Sequence, residues 1–175
     1  MPYHRLGDGT PLYYEDEGPR DGRAIVLIPG WTFTTSVWRR QVAALAADNR
    51  VISFDLRGAG RSGKGPAHHS LADYAADAAA LLAALAIERA VVAGWALGAS
   101  VAAYLATGAG RDRVAGVVWV DHSPCFFAVP GWPYALYGDL TATALAATIA
   151  RLQADRPAVA AGGASRNFFP RASPT

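Results

Sequence analysis

The sequence predicts an α/β fold built on a mostly parallel sheet, and two observations predict it. Four apolar runs, AIVLI (24–28), RVISFD (50–55), RAVVAGW (89–95) and VAGVVWVD (114–121), read as strands. Between them lie stretches whose apolar residues recur at helical spacing, and such alternation gives parallel neighbours joined by right-handed crossovers.

Taken in order, residues 3–6 and 11–16 read as two short strands around the turn GDGT, a hairpin signal. GPRDGR is a loop. AIVLI is continuous in its apolar character and ends at Pro29-Gly30, which suits a strand buried on both faces. Residues 36–47 follow as a helix, with Val37, Trp38, Gln41, Val42 and Leu45 at helical spacing. After the strand RVISFD comes a glycine-rich loop, LRGAGRSGKGPAHHS. Ser70 then caps a helix, with Asp73 placed for a variant capping box and Leu71, Tyr74, Ala75, Ala78, Leu81, Leu82 and Leu85 as its apolar stripe. RAVVAGW runs directly into a helix over 97–106, and VAGVVWVD is another buried strand. Beyond DHSPCFF the pattern changes. Residues 124–138 are rich in proline, glycine and aromatics, 139–155 form an amphipathic helix, and the tail PRASPT has no visible structure. The expected organisation is a core over 1–123 and the beginning of a cap region and tail over 124–175.

Composition narrows the class. The chain has 175 residues, of which 52% are hydrophobic and 17% charged, as in a globular domain of ordinary size. Net charge is +2 with the basic residues scattered, so neither a nucleic-acid groove nor an anionic membrane face is expected. The single cysteine, Cys125, allows no intrachain disulfide and points to a reducing, cytoplasmic setting. MPYHRLGDGT lacks an apolar signal core, and no apolar stretch is long enough to span a membrane.

In parallel α/β sheets ligands gather at the carboxyl ends of the strands. Three loops leave such ends here: PGWTFTTS, DLRGAGRSG and GWALG. The last has the outline of a serine nucleophile turn, G-x-S-x-G, but its central residue is Ala96. Gly94 and Gly98 allow the sharp turn, and the helix behind it offers free N–H groups and a positive dipole end to a developing oxyanion. A left-handed non-glycine residue costs roughly 1–2 kcal/mol, a cost that serine offsets with chemistry and alanine does not. Ala96 therefore reads as the replacement of a serine, by design or by natural loss.

These segments together resemble the α/β-hydrolase superfamily from residue 3 to about residue 125. LIPGW matches the segment after that family's third strand, where His-Gly is frequent and Pro29 departs from it. FDLRGAGRSG matches the D-x-R-G-x-G-x-S segment after the fourth strand, VVAGWALGAS the nucleophile elbow, and VVWVDHSP the sixth strand. The nearest branch is that of cofactor-free haloperoxidases, esterases and lactonases. The resemblance implies that Ala96 holds the nucleophile position and that the backbone N–H groups of Trp31 and Leu97 form the oxyanion hole. It implies a small apolar ester or lactone as substrate, and no cofactor or metal. Trp95, Phe126, Trp132, Tyr134 and Tyr137 are expected around the pocket, the last four from a cap. Asp121 ends the sixth strand, where a minority of relatives place the catalytic acid; otherwise an aspartate there caps a turn.

The resemblance also implies strands and a histidine base that are not visible after His122. Without them VAGVVWV is expected to be a bare apolar edge. The expected function is an inactivated or partial serine hydrolase. The alternatives are a ligand-binding pseudoenzyme, half of a split protein, or a cofactor-free oxygenase of the same fold. Expected partners are a small-molecule substrate and either a second chain or a homo-oligomer. His122 reads as a surface loop histidine, and Cys125 as a small buried thiol. His68 and His69 read as solvated loop residues, because adjacent histidines point apart and no carboxylate cluster joins them. Asp55, Arg57 and Ser62 are expected to brace their own loop.

Overall fold

The computed structural model describes residues 2–65, 69–126, 130, 132, 134–135 and 142–155. The chain divides into two compact units, Met1–His122 and Ser123–Thr175.

In the first unit a hairpin of β1 (Tyr3–Arg5) and β2 (Pro11–Glu17) leads into β3 (Arg23–Ile28). A 3-10 turn, Thr35–Trp38, opens α1 (Arg39–Leu45), followed by β4 (Asn49–Phe54) and α2 (Leu71–Ala84). β5 (Ala90–Trp95), α3 (Leu97–Thr107) and β6 (Val114–Val120) complete it. The sheet order is β1-β2-β4-β3-β5-β6. β2 is antiparallel to both of its neighbours, whereas β4, β3, β5 and β6 run parallel, as the strand-helix alternation predicts. No described helix is long and apolar enough to cross a membrane.

Strand alternation builds a core on each face of the sheet. Val26, Ile28, Ile52, Phe54 and Val92 meet Ala78, Leu81 and Leu82 of α2 and Val101 and Leu105 of α3. On the other face Leu27, Val51 and Ala93 pack with Trp38, Val42 and Leu45 beside α1. The predicted cap of α2 is complete: Ser70 Oγ accepts from the Asp73 N–H, and the Asp73 carboxylate accepts from the Ser70 N–H at 2.7 Å.

Three expectations change. The helix expected over 36–47 begins as a 3-10 turn at Thr35, whose N–H, without a partner inside the element, donates to Asp55 Oδ1 at 2.7 Å. β6 is not the buried strand its apolar run suggests but the exposed edge also expected: Val118, Trp119 and Val120 are 46%, 36% and 37% exposed, and among the described residues β6 pairs with β5 alone. His122 is no surface histidine but half-buried and hydrogen-bonded.

In the second unit α4 spans Ala142–Ala154, inside the helix expected over 139–155, whose first three positions lie outside the described residues. Ser123 Oγ donates to the Tyr134 carbonyl at 2.6 Å, and the Trp132 indole N–H to the same carbonyl at 3.2 Å. The rings of Trp132 and Tyr134 meet edge-on, with centroids 5.9 Å apart, and both residues are exposed. Phe126 is half-buried, as is Cys125, a free thiol. Tyr137, His68 and the tail PRASPT lie outside the described residues.

Candidate functional site

The sheet order reverses between β3 and β5: the chain moves from β3 outward to β4, and from β5 outward to β6 on the other side. Such a switch point opens a crevice at the carboxyl ends of the two strands. The loops that meet there are Pro29–Thr32 and the turn at Ala96.

Ala96 joins β5 to α3 with φ 49° and ψ −118°. Its N–H donates to the Val120 carbonyl at 3.1 Å, and its carbonyl accepts from Ala99 at 2.9 Å, so neighbours on both sides hold the turn. The two flanking glycines are obligatory. A Cβ at Gly94 would lie 2.1 Å from the Gly98 oxygen, and one at Gly98 would lie 2.2 Å from the Ile28 oxygen. Helix α3 therefore starts directly against the end of β3. The loop after β3 is as close: a Cβ built on Gly30 would stand 3.4 Å from the Ala96 methyl and 3.3 Å from the Trp95 carbonyl oxygen.

Backbone strain is concentrated along this edge. Thr32 (φ 66°), Ala96 and Asp121 (φ 50°) follow the ends of β3, β5 and β6, and they are three of the four non-glycine residues with positive φ among the described residues. Strained backbone of this kind clusters at functional sites and persists only where its surroundings impose it.

The structure thus brings Ala96, Leu97, Trp95 and the Gly30–Trp31 loop together. Trp95 packs on Phe33, with ring centroids 4.6 Å apart, while Trp31 is 66% exposed. Beside Trp31 opens a cavity of about 390 Å³, lined also by Thr32, Leu56, Arg57, His69 and Tyr74. His69 is half-buried rather than solvated, and its Nε2 lies 3.2 Å from the Lys64 carbonyl. Asp121 is exposed at the end of β6. No group of three or more potential metal ligands occurs among the described residues.

The loop after β4 is braced as expected. Asp55 is fully buried and accepts from the N–H groups of Thr35 and Arg61 at 2.7 and 2.8 Å. Ser62 Oγ donates to the Asp55 carbonyl at 2.6 Å and accepts from the Tyr13 N–H at 2.9 Å. Arg57 grips Asp77 of α2 with two bonds of 2.5 Å and reaches Asp8 at 2.9 Å. Burial pushes the Asp77 carboxyl up while these charge-assisted bonds pull it down.

Sequence reasoning missed Ser100. It stands one helical turn after Ala96, is 5% exposed, and its Oγ lies 2.7 Å from His122 Nε2. Burial holds the His122 imidazole below the ordinary histidine pKa, against an opposing pull from Asp121. No local signal marks it, because Ala96 precedes α3 with a positive φ and helical spacing does not carry across that turn.

Known proteins resemble this chain in sequence and fold. The model of the alpha/beta hydrolase fold family matches residues 23–152. A non-heme chloroperoxidase of Streptomyces lividans is 36% identical over 156 residues, covering 86% of this chain and 56% of that protein. A pimeloyl-acyl-carrier-protein methyl ester esterase of Pectobacterium carotovorum is 40% identical over 122 residues, covering 70% and 45%. An esterase from Exiguobacterium antarcticum superposes with a TM-score of 0.80 at 26% identity, covering 98% of this chain and 62% of that structure. The chain spans about half the length of the two sequence relatives. By sequence and by fold, the chain belongs to the alpha/beta hydrolase fold family.

Proposed function

We propose that the chain carries the nucleophile turn of a serine hydrolase for a small, fairly apolar ester or lactone, in a form inactivated by alanine at position 96. The observation that carries this reading is the conformation of Ala96: φ 49° and ψ −118° between β5 and α3, wedged between two glycines that tolerate no Cβ. Alanine gains nothing from that geometry, whereas a serine hydroxyl there would stand free at the crevice.

In the active form the serine Oγ attacks the carbonyl carbon and gives its proton to a histidine, while the N–H groups of Trp31 and Leu97 hold the oxyanion. Each such donor contributes about 2.7–4 kcal/mol to the transition state. Asp121 is the candidate acid. Trp95, Phe126, Trp132 and Tyr134 are the candidate apolar contacts of the substrate. His122 is committed to Ser100, so the reading takes the general base from elsewhere, in the same polypeptide or on a second chain.

The test is Ala96→Ser, made in the full polypeptide that the gene encodes and assayed with an activated aryl ester. Turnover is expected. A folded variant that hydrolyses neither esters nor lactones overturns the reading. The cavity beside Trp31 favours a second reading, a ligand-binding protein that has lost the chemistry. An alanine codon in the native gene, together with ligand binding by the Ala96 form, would select it.

A further inference from the structure

The cavity beside Trp31 is built from the first unit alone. Its wall comes from the loops after β3 and β4 and from the start of α2, so it lies on the β4 side of the switch point, away from β6. Its volume of about 390 Å³ is near the small end of the range of small-molecule pockets, about 300–1,000 Å³. That suits one ring with a short substituent.

Rings and bare backbone make much of this wall. Trp31, His69 and Tyr74 line it, and the last two rings stand 5.9 Å apart at 52°. His69 is fixed in place: the Lys64 carbonyl can only accept, so the Nε2 3.2 Å away carries a proton toward it. Gly58 and Gly60 also line the cavity, both with positive φ, where a side chain is strained. A Cβ on Gly60 would stand 2.2 Å from Asp55 Oδ2. That stretch of wall therefore stays flat. Flat backbone beside aromatic faces admits a planar group and crowds a puckered one.

Charge narrows the ligand further. Arg57 lines the cavity, but its guanidinium is already bonded to Asp77 at 2.5 Å and to Asp8 at 2.9 Å, and its charge also reaches Asp73. These carboxylates outweigh Arg57 and Lys64, whose Nζ rests 3.3 Å from the Gly58 carbonyl, so an anion gains nothing here. Among the described residues no carboxylate lines the cavity, so a cation finds no partner at the wall either. Tyr74 supplies the polar contact. Its hydroxyl makes no hydrogen bond among the described residues, and burial raises its pKa, so it stays protonated and can donate.

Trp31 joins the cavity to the turn. Its N–H is the candidate oxyanion donor, its side chain lines the cavity, and Gly30 before it stands against the Ala96 methyl.

We propose that this cavity seats a neutral aromatic ring, stacked on Trp31 and hydrogen-bonded through its substituent to the Tyr74 hydroxyl. Resting on the serine-hydrolase reading, that ring is the aryl part of the ester presented at position 96.

The experiment titrates the full polypeptide that the gene encodes, with Ala96 in place so that no acyl transfer intervenes. The probes are benzyl alcohol, toluene, cyclohexylmethanol and benzoate, read by ligand-observed NMR. Benzyl alcohol should bind about threefold tighter than cyclohexylmethanol and about tenfold tighter than benzoate. Trp31→Ala should weaken both aromatic alcohol and toluene about threefold or more. Tyr74→Phe should weaken benzyl alcohol and leave toluene unmoved, a pattern that damage to the fold cannot produce. No binding, benzoate bound as tightly as benzyl alcohol, or ring binding indifferent to both variants overturns the proposal. In a second arm, an Ala96→Ser form that hydrolyses phenyl and cyclohexyl esters alike overturns it while the hydrolase reading stands. An inert Ala96→Ser form beside a ring-binding Ala96 form overturns that reading and upholds the cavity as a ring site.

Discussion

Ser100 Oγ and His122 Nε2 lie 2.7 Å apart, which ties the end of β6 to α3 one helical turn behind Ala96. With the bond from the Ala96 N–H to the Val120 carbonyl, the end of β6 and the residues just after it are held to α3 and to the turn before it at two points. This tie gives stability a pH dependence. Burial favours neutral His122 in the folded state, so the unfolded chain binds the proton more readily. The contribution is present above the ordinary histidine pKa and is lost as pH falls through it toward the depressed folded value. The thermal midpoint should drop between about pH 8 and pH 5, and His122→Gln should flatten that slope. Ser100→Ala should cost about 1 kcal/mol in chemical denaturation at neutral pH.

Ala96 stores strain that glycine would release. Ala96→Gly should be neutral to stabilising by up to about 1 kcal/mol, the gain in φ freedom exceeding the entropy added to the unfolded chain. Ala96→Val should destabilise by about 2 kcal/mol or more, because a β-branched residue is a severe outlier at positive φ. Urea midpoints of the two variants against the parent chain check both signs.

Gly98 should tolerate no side chain. The added Cβ of Gly98→Ala would meet the Ile28 and Pro29 carbonyl oxygens at 2.2 and 2.7 Å, and backbone cannot yield as a side-chain tip does. A loss of about 3 kcal/mol or more is expected by denaturant titration, with α3 displaced from the end of β3.

Arg57 is the hub of the brace between the β4 loop, α2 and the β1–β2 turn. Its partner Asp77 is only 5% exposed at the side chain, whereas Asp8 is 37% exposed. Arg57→Leu should therefore cost about 3–5 kcal/mol by stranding a buried carboxylate. Asp8→Asn should stay within about 1 kcal/mol. Arg57→Leu combined with Asp77→Leu should recover much of the loss, measured as a double-mutant cycle in thermal unfolding.

Local signals carried well from sequence to structure. The Ser70–Asp73 box closes as its spacing predicts, and the parallel sheet follows from apolar runs separated by amphipathic stretches. Gly94 and Gly98 marked the crevice because a turn that tight admits nothing larger. What was not legible depends on contacts between distant segments. His122 reads as a loop residue until the fold sets it against Ser100, a residue whose neighbours look like ordinary helix interior. β6 has the composition of a buried strand, and its exposure was expected only through the resemblance to a family with further strands. The start of α1 takes its acceptor from Asp55, twenty residues away, which receives the Thr35 N–H.

The central place of β3 sets an order on assembly as the chain is synthesised. Both neighbours of β3 come later in the sequence, so one edge stays open until β4 emerges and the other until β5 does. The strained turn at Ala96 follows β5 immediately. It can be imposed only on a sheet that already exists, since a nascent chain ending at Trp95 has no α3 to wedge against β3. Distortion at the crevice thus waits on β3, β5 and α3 together, segments spread along the chain from Arg23 to Thr107.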